Sequence, residues 1–230
     1  MPLSRRFATY LATSVLLWTV LALYLDGYVS IFGQRMIGAL TWLILIAWLW
    51  KIPSLVRTQT LIVVAFASLI EYTFAGYFGV YQYRLENVPW FVPPGHGLIY
   101  LGAVALGVLM HNRMRTMMFV LLIPLTLWVI WGLFISPRLD VLGAFWFLNL
   151  LVFLKWGPSR PTYLGAIITV SWLEIVGTYL GTWSWEPYDT IAGWVAQGNP
   201  PSGAAGGYGW FDLVGILAAP WVLRRLGRKF

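Results

Sequence analysis

The sequence predicts an all-α fold, a polytopic membrane helix bundle of about eight transmembrane helices. Three observations predict it. Of 230 residues, 60% are hydrophobic and only 10% charged, where a soluble domain carries roughly 25% charged residues. Apolar runs near the length of about 20 residues that crosses a hydrocarbon core recur along the chain. Basic residues fall in every second connection between those runs.

The predicted spans are 7–25, 31–50, 61–81, 95–110, 117–135, 140–155, 163–182 and 206–223. Breakers separate them: Lys51-Ile52-Pro53, Pro93-Pro94-Gly95, His111–Arg115, Ser136-Pro137-Arg138, Gly157–Pro161 and Asn199-Pro200-Pro201. If the spans alternate in direction, Arg5, Arg6, Lys51, Arg57, Arg113, Arg115, Lys155, Arg160, Arg224, Arg225, Arg228 and Lys229 share one side. Only Arg35, Arg84 and Arg138 fall on the other. Lys and Arg concentrate in cytoplasmic loops. The first side is therefore expected to be cytoplasmic, with both termini there. The expectation is one integral membrane domain, 1–230, in a bacterial or archaeal plasma membrane. No small-residue cleavage site follows Arg5-Arg6, so the first span is read as retained.

Composition also excludes function classes. The net charge of +7 does not indicate nucleic acid, because the positive charges lie in short loops between spans. With no cysteine, disulfides and thiolate chemistry are absent. Two histidines without HExxH or comparable spacing build no metal site, and no phosphate-binding or nucleotide-binding glycine motif stands in the right context. No metal and no cofactor are expected. Fifteen Trp, twelve Tyr and thirteen Phe suit aromatic belts facing membrane lipids, and leave room for a homo-oligomer.

All eight acids lie within spans or on the outer side: Asp26, Glu71, Glu86, Asp140, Glu174, Glu186, Asp189 and Asp212. Either they are merely kept off the basic face, or several of them build an outward-facing site. Two segments favour the second reading. Glu71 is followed by Gly79-Val80-Tyr81-Gln82-Tyr83, and Glu174 by Gly181-Thr182-Trp183-Ser184-Trp185. Each carries an acid, then Gly-x-aromatic-x-aromatic, then a Pro-Pro pair read as opening the next span (Pro93-Pro94, Pro200-Pro201). The glutamates are four spans apart and so share orientation. Two parallel four-helix halves, roughly 1–116 and 117–230, are expected about an axis along the membrane normal.

Glu71 and Glu174 are the leading catalytic candidates. A charged carboxylate at a span's centre costs roughly 2.5–3.5 kcal/mol, so such a group is usually a neutral acid, able to donate a proton, or is paired. The bland alternative is a hydrogen bond that only joins helices. Asp212, early in the last span, and His96, in Pro93-Pro94-Gly95-His96-Gly97 at a helix start suited to anions, are candidate helpers. Tyr81, Tyr83, Trp183 and Trp185 alternate as extended backbone does, and read as walls of a substrate pocket or as belt residues. Asn199 either binds a substrate oxygen or caps its turn.

The stretch Glu71, Tyr81, Tyr83, Val88-Pro89, Pro93 to Tyr100 resembles a pattern in the membrane carotenoid-biosynthesis proteins, namely the carotenoid hydratases and the heterodimer-type lycopene cyclases. Glu174 to Trp185 is similar. The resemblance covers about a third of the chain, and His96, the Pro-Pro loops and the lack of a second Val-Pro depart from it. It implies cofactor-free, acid-initiated hydration or cyclisation of an isoprenoid or other long apolar lipid. Glu71 or Glu174 would be the acid, His96 and Asp212 helpers, and the aromatic set including Tyr100 the substrate wall. A proton-coupled transporter, a lipid-binding protein and an assembly subunit are the competing classes.

Overall fold

The computed structural model describes residues 3–227. These contain eight α-helices: α1 (Arg5–Asp26), α2 (Ile31–Leu49), α3 (Ser54–Glu71), α4 (Val92–Met110), α5 (Met114–Phe134), α6 (Val141–Trp156), α7 (Arg160–Tyr179) and α8 (Ala204–Arg225). Two short strands, β1 (Tyr81–Tyr83) and β2 (Trp183–Trp185), complete the fold. Four segments are long and apolar enough to cross a membrane: Arg5–Asp26, Ile31–Leu49, Ser54–Tyr77 and the 43-residue run Val92–Phe134. An apolar stripe of exposed side chains, Phe119, Ile123, Leu127, Ile130 and Phe134, runs along α5.

The 43-residue run is not one rod. Its start clusters with β1 through Phe91, Val92 and Tyr81. The loop after its end returns to β2, where Arg138 donates to the Trp185 carbonyl (2.6 Å) and the Gln197 carbonyl (2.7 Å). The chain therefore doubles back at the short 3-10 turn His111–Arg113, and α4 and α5 run in opposite senses.

Helix ends sort the same way throughout. At the ladder end, Asp26 closing α1 accepts from Gln34 opening α2 (2.8 Å) and pairs with Arg84 beyond β1 (3.3 Å). At the other end, Arg57 of α3 donates to the last carbonyl of α2 (Leu49, 2.7 Å), and Arg160 of α7 to Leu154 of α6 (2.6 Å). The three arginines that break the charge pattern all have partners at the ladder end. Arg84 holds Asp26, Arg138 holds carbonyls, and Arg35 lies over the Trp90 ring at 5.4 Å. Arg228 and Lys229, assigned to the basic side, lie outside the described residues.

Three expected boundaries are corrected. The third helix starts at Ser54 rather than 61, because Pro53 begins it and the Arg57 guanidinium is consumed in capping carbonyls of the preceding helix. It also leaves the helical path before 81, through a π-helical turn (Tyr72–Tyr77) and Gly79 at φ 63. The seventh helix stops at Tyr179, short of 182, ahead of Gly181 at φ 71. Both glycines occupy left-handed conformations that a side chain would resist. A π turn carries an extra residue relative to an α turn, which explains why Glu71 to Gly79 is one residue longer than Glu174 to Gly181. Finally, Pro93-Pro94 do fall in the first turn of α4, where a missing N–H is harmless. Pro200-Pro201 do not open α8, which starts at Ala204.

α4 sits at the centre, packed on α7, α1 and α3, while α8 packs on α3, α6 and α7. The tightest crossings use glycine. A Cβ at Gly165 of α7 would run into the Ala103 carbonyl of α4, and one at Gly206 of α8 into the Trp146 carbonyl of α6. Small residues that allow backbones to approach are the usual source of packing attraction between helices in lipid.

Candidate active site beneath a two-stranded ladder

Each strand follows a helix that ends in a glycine turn, and the two strands pair antiparallel with Tyr81 opposite Trp185, Gln82 opposite Ser184 and Tyr83 opposite Trp183. Successive strand residues face opposite ways. Tyr81, Tyr83 and Trp183 are therefore buried, while Gln82 and Ser184 are exposed. The rings meet as Tyr81–Trp185 and Tyr83–Trp183 pairs, with centroids 4.5 and 6.1 Å apart.

Beneath the rings lie the two carboxyls. Oε2 of Glu71 accepts the Tyr81 hydroxyl (2.7 Å) and the Tyr83 hydroxyl (2.9 Å). Its Oε1 is 2.9 Å from Nε2 of His96. Oε2 of Glu174 accepts the indole N–H of Trp183 (3.1 Å) and of Trp185 (3.0 Å). Each carboxyl is thus held by the two aromatic residues of its own segment, while the strands pair with each other. Gly177, one turn after Glu174, leaves the space that the Trp183 ring fills.

Glu71, His96 and Glu174 are all about 5% exposed or less. Burial first, and then the adjoining Glu71 carboxylate, raise the phenols of Tyr81 and Tyr83 well above their ordinary range. Both remain O–H donors at any working pH.

The carboxyls border one cavity of about 400 Å³, within the range of about 300–1,000 Å³ of small-molecule sites. Eleven of its 25 lining residues are Phe, Tyr or Trp. Its titratable lining, tyrosines aside, is Glu71, His96, Glu174 and Asp189. Asp189 also ties its own loop, accepting from Ala192 N–H (2.6 Å).

The two glutamates differ. Both oxygens of Glu71 are engaged. On Glu174, Oε2 takes both indole N–H groups, Oε1 takes no short hydrogen bond, and the Tyr208 hydroxyl, in the same cavity wall, stands near the carboxyl. One carboxyl is built to accept and the other has an oxygen that can carry a proton towards a bound molecule. Among the described residues, no group of three or more His, Asp or Glu is placed to hold a metal ion.

No family model, curated protein or solved structure matches the chain. The site is therefore interpreted from its own residues.

Of the ten residues singled out in the sequence, seven line this cavity: Glu71, Tyr81, Tyr83, His96, Glu174, Trp183 and Trp185. Three do not. Tyr100 lies one helical turn below His96 on α4, about 6 Å deeper, and its hydroxyl donates to Gln59 (3.0 Å). Asp212 is level with Phe211, which lines the cavity, but borders a small adjoining void instead. Asn199 is a fastener, its Oδ1 accepting the Trp185 backbone N–H (3.0 Å). Tyr208 was missed. It lines the cavity with its ring 5.4 Å from His96. A signal for it existed, because Tyr208 follows Pro200-Pro201 much as Tyr100 follows Pro93-Pro94. Only Tyr208 is shallow enough to reach the cavity, since α8 begins after its proline pair and α4 begins before its own.

Proposed function

We propose that the protein is an eight-span integral membrane enzyme that performs acid-initiated hydration or cyclisation on a C=C bond of an isoprenoid or other long apolar lipid, without a cofactor. The observation that carries the proposal is the pair of buried carboxyls bordering one aromatic cavity, one with an oxygen free to donate. In this reading Glu174 protonates the alkene and aromatic faces stabilise the cation. Water or an internal alkene quenches it, and Glu71, oriented by His96, takes up the released proton. Tyr81 and Tyr83 then serve to hold Glu71 rather than to react.

The alternation of helix ends, with the basic residues at one end, supports eight spans with both termini cytoplasmic and a ladder facing outward, in a plasma membrane. The mirrored pairing of the two glutamate–strand segments supports two parallel halves. The resemblance to carotenoid hydratases and lycopene cyclases points to the same chemistry. Lateral access is supported as well. Both α3 and α6 pack on α8 without forming an interface with each other, and between them Trp210 lines the cavity while 46% exposed. A lipid can enter there from the bilayer.

The test is expression in a polyene-producing host, followed by lipid extraction and mass spectrometry. A product heavier by one water supports a hydratase, and an isomeric product a cyclase. An unchanged lipid profile together with proton-dependent uptake into vesicles overturns the reading in favour of transport.

Gly207 offers a steric check. It borders the cavity, and a Cβ there meets only the Trp146 ring at ordinary contact, 3.7 Å or more. Gly207→Leu fills the cavity without disturbing backbone, and glycine in the first turn of α8 is unfavourable by up to about 0.8–1.0 kcal/mol, the helix-interior value. The expected result is a melting temperature in detergent that holds or rises, with product formation reduced about tenfold or more, an activation difference of about 1.4 kcal/mol. Full turnover in this variant would place the substrate elsewhere.

A further inference from the structure

Below the main cavity, His96, Tyr100, Tyr208 and Asp212 border a separate void of about 10 Å³. Two of these residues each carry a buried atom with no hydrogen-bond partner among the described residues: Nδ1 of His96 and Oδ2 of Asp212. Their side chains are enclosed, with His96 5% and Asp212 4% exposed. Buried polar atoms are nearly always satisfied. A void at the lower bound for one water, about 10–15 Å³, with two or more polar groups around it is the setting in which buried water is retained.

We propose that this void is a binding site for a single structural water that bridges Asp212 Oδ2 and His96 Nδ1, and that the four groups Glu71, His96, water and Asp212 form a proton relay that drains Glu71 after turnover. The relay deepens the acid chemistry proposed for that cavity and rests on it. The geometry is continuous on the other side of the imidazole, where Nε2 meets Glu71 Oε1 at 2.9 Å. One passage balances as follows. Glu71, protonated by turnover, gives its proton to Nε2, and Nδ1 releases its own to the water. The water gives a proton to the Asp212 carboxylate. Asp212 ends protonated, the water is regenerated, the imidazole has exchanged one neutral tautomer for the other, and Glu71 ends as the carboxylate that can accept again. Tyr100 and Gln59, hydrogen-bonded at 3.0 Å, continue the polar string from the void to α3. Asp212 thereby acquires a role despite lying outside the main cavity. It is a positioning and proton-accepting residue that acts through His96.

The chain has two histidines, His96 and His111, and His111 is exposed in a turn. His111→Gln therefore leaves a single imidazole to observe. The experiment is ¹⁵N-histidine NMR of this variant in phospholipid nanodiscs, reading magnetisation transfer from water to the His96 ring and the shifts of both ring nitrogens. The expected result is transfer to the Nδ1 side in the parent, lost on adding Asp212→Leu, with the Nε2 shift that reports Glu71 retained. Absence of transfer in the parent, or transfer undiminished by Asp212→Leu, overturns the relay.

Should Asp212→Leu not fold, Asp212→Asn is the second variant. Its near-isosteric amide keeps the water but cannot take up a proton. Transfer at Nδ1 should persist while product formation falls about tenfold, and unchanged turnover overturns the relay. If the parent makes no product from any polyene, the acid-chemistry reading fails by itself, and the NMR result still decides whether the water is there.

Discussion

Glu174→Gln is expected to lower product formation by about 10²–10⁴-fold, the usual contribution of a general acid, while the helical circular dichroism spectrum stays that of the parent. The substitution is favourable for the fold. Oε2 of Glu174 only accepts, from the indole N–H groups of Trp183 and Trp185, and an amide oxygen accepts equally well. The amide NH₂ then takes the place of Oε1, where the neighbouring Tyr208 hydroxyl oxygen can accept from it. What disappears is the transferable proton.

Glu71→Gln behaves differently. Its two oxygens serve Tyr81, Tyr83 and His96, so an amide nitrogen must face either two phenol donors or the imidazole. That variant should lose stability as well as turnover. The contrast is read by liquid chromatography–mass spectrometry of extracted lipids, alongside thermal melting of purified protein. Equal turnover in wild type and Glu174→Gln would reduce the carboxyls to helix-joining hydrogen bonds and sink the catalytic account.

The parts of this molecule that were legible from residue order are those set by local rules. Apolar length and the placement of Arg and Lys marked the eight helices, most of their ends to within a few residues but the third displaced by seven or more at both, because Pro53, Arg57 and the π turn act through contacts that apolar length does not report. The alternation at Tyr81, Tyr83, Trp183 and Trp185 marked extended backbone, and the two strands lie there. That these strands pair with each other was not legible. They are about a hundred residues apart, and no local pattern records a partner at that distance.

Depth was the second blind spot. Tyr100 belongs to a helix that enters the site but sits a turn too low, since spacing from a proline pair does not state where a helix begins, and Asp212, level with the cavity-lining Phe211, points into the adjoining void instead. Asn199 shows a third limit. A polar side chain in a turn can face a ligand or its own chain, and here it faces the Trp185 N–H. Asp140 was read only as one acid among eight, because the four donors it serves come together only in the folded loop.

That acid carries the largest stability effect expected anywhere in the chain. Asp140 is 3% exposed and begins α6. Its Oδ1 accepts the backbone N–H of Gly143 (3.0 Å) and of Gly198 (2.7 Å). Its Oδ2 accepts the N–H and the hydroxyl of Ser202 (2.7 and 2.6 Å). One carboxylate thus fastens the start of α6 to the loop that leads into α8. Asn199, in the same loop, holds β2, so the strand ladder over the cavity depends on Asp140 at one remove. Removing a partner from a buried donor costs about 1–3 kcal/mol, and Asp140→Ala orphans several donors together. A loss of at least about 3 kcal/mol follows, which for a chain of this length corresponds to a melting temperature lower by roughly 6–12 °C. Asp140→Asn should not rescue it, since the amide NH₂ must point at either Ser202 or the two glycine N–H groups. Ser202→Ala, which deletes one hydroxyl donor and keeps the backbone N–H, should cost only about 1 kcal/mol. Melting curves in detergent, followed by tryptophan fluorescence, separate these cases. If Asp140→Ala melts together with wild type, the loop before α8 is held by its other bonds, and the ladder does not hang on this carboxylate.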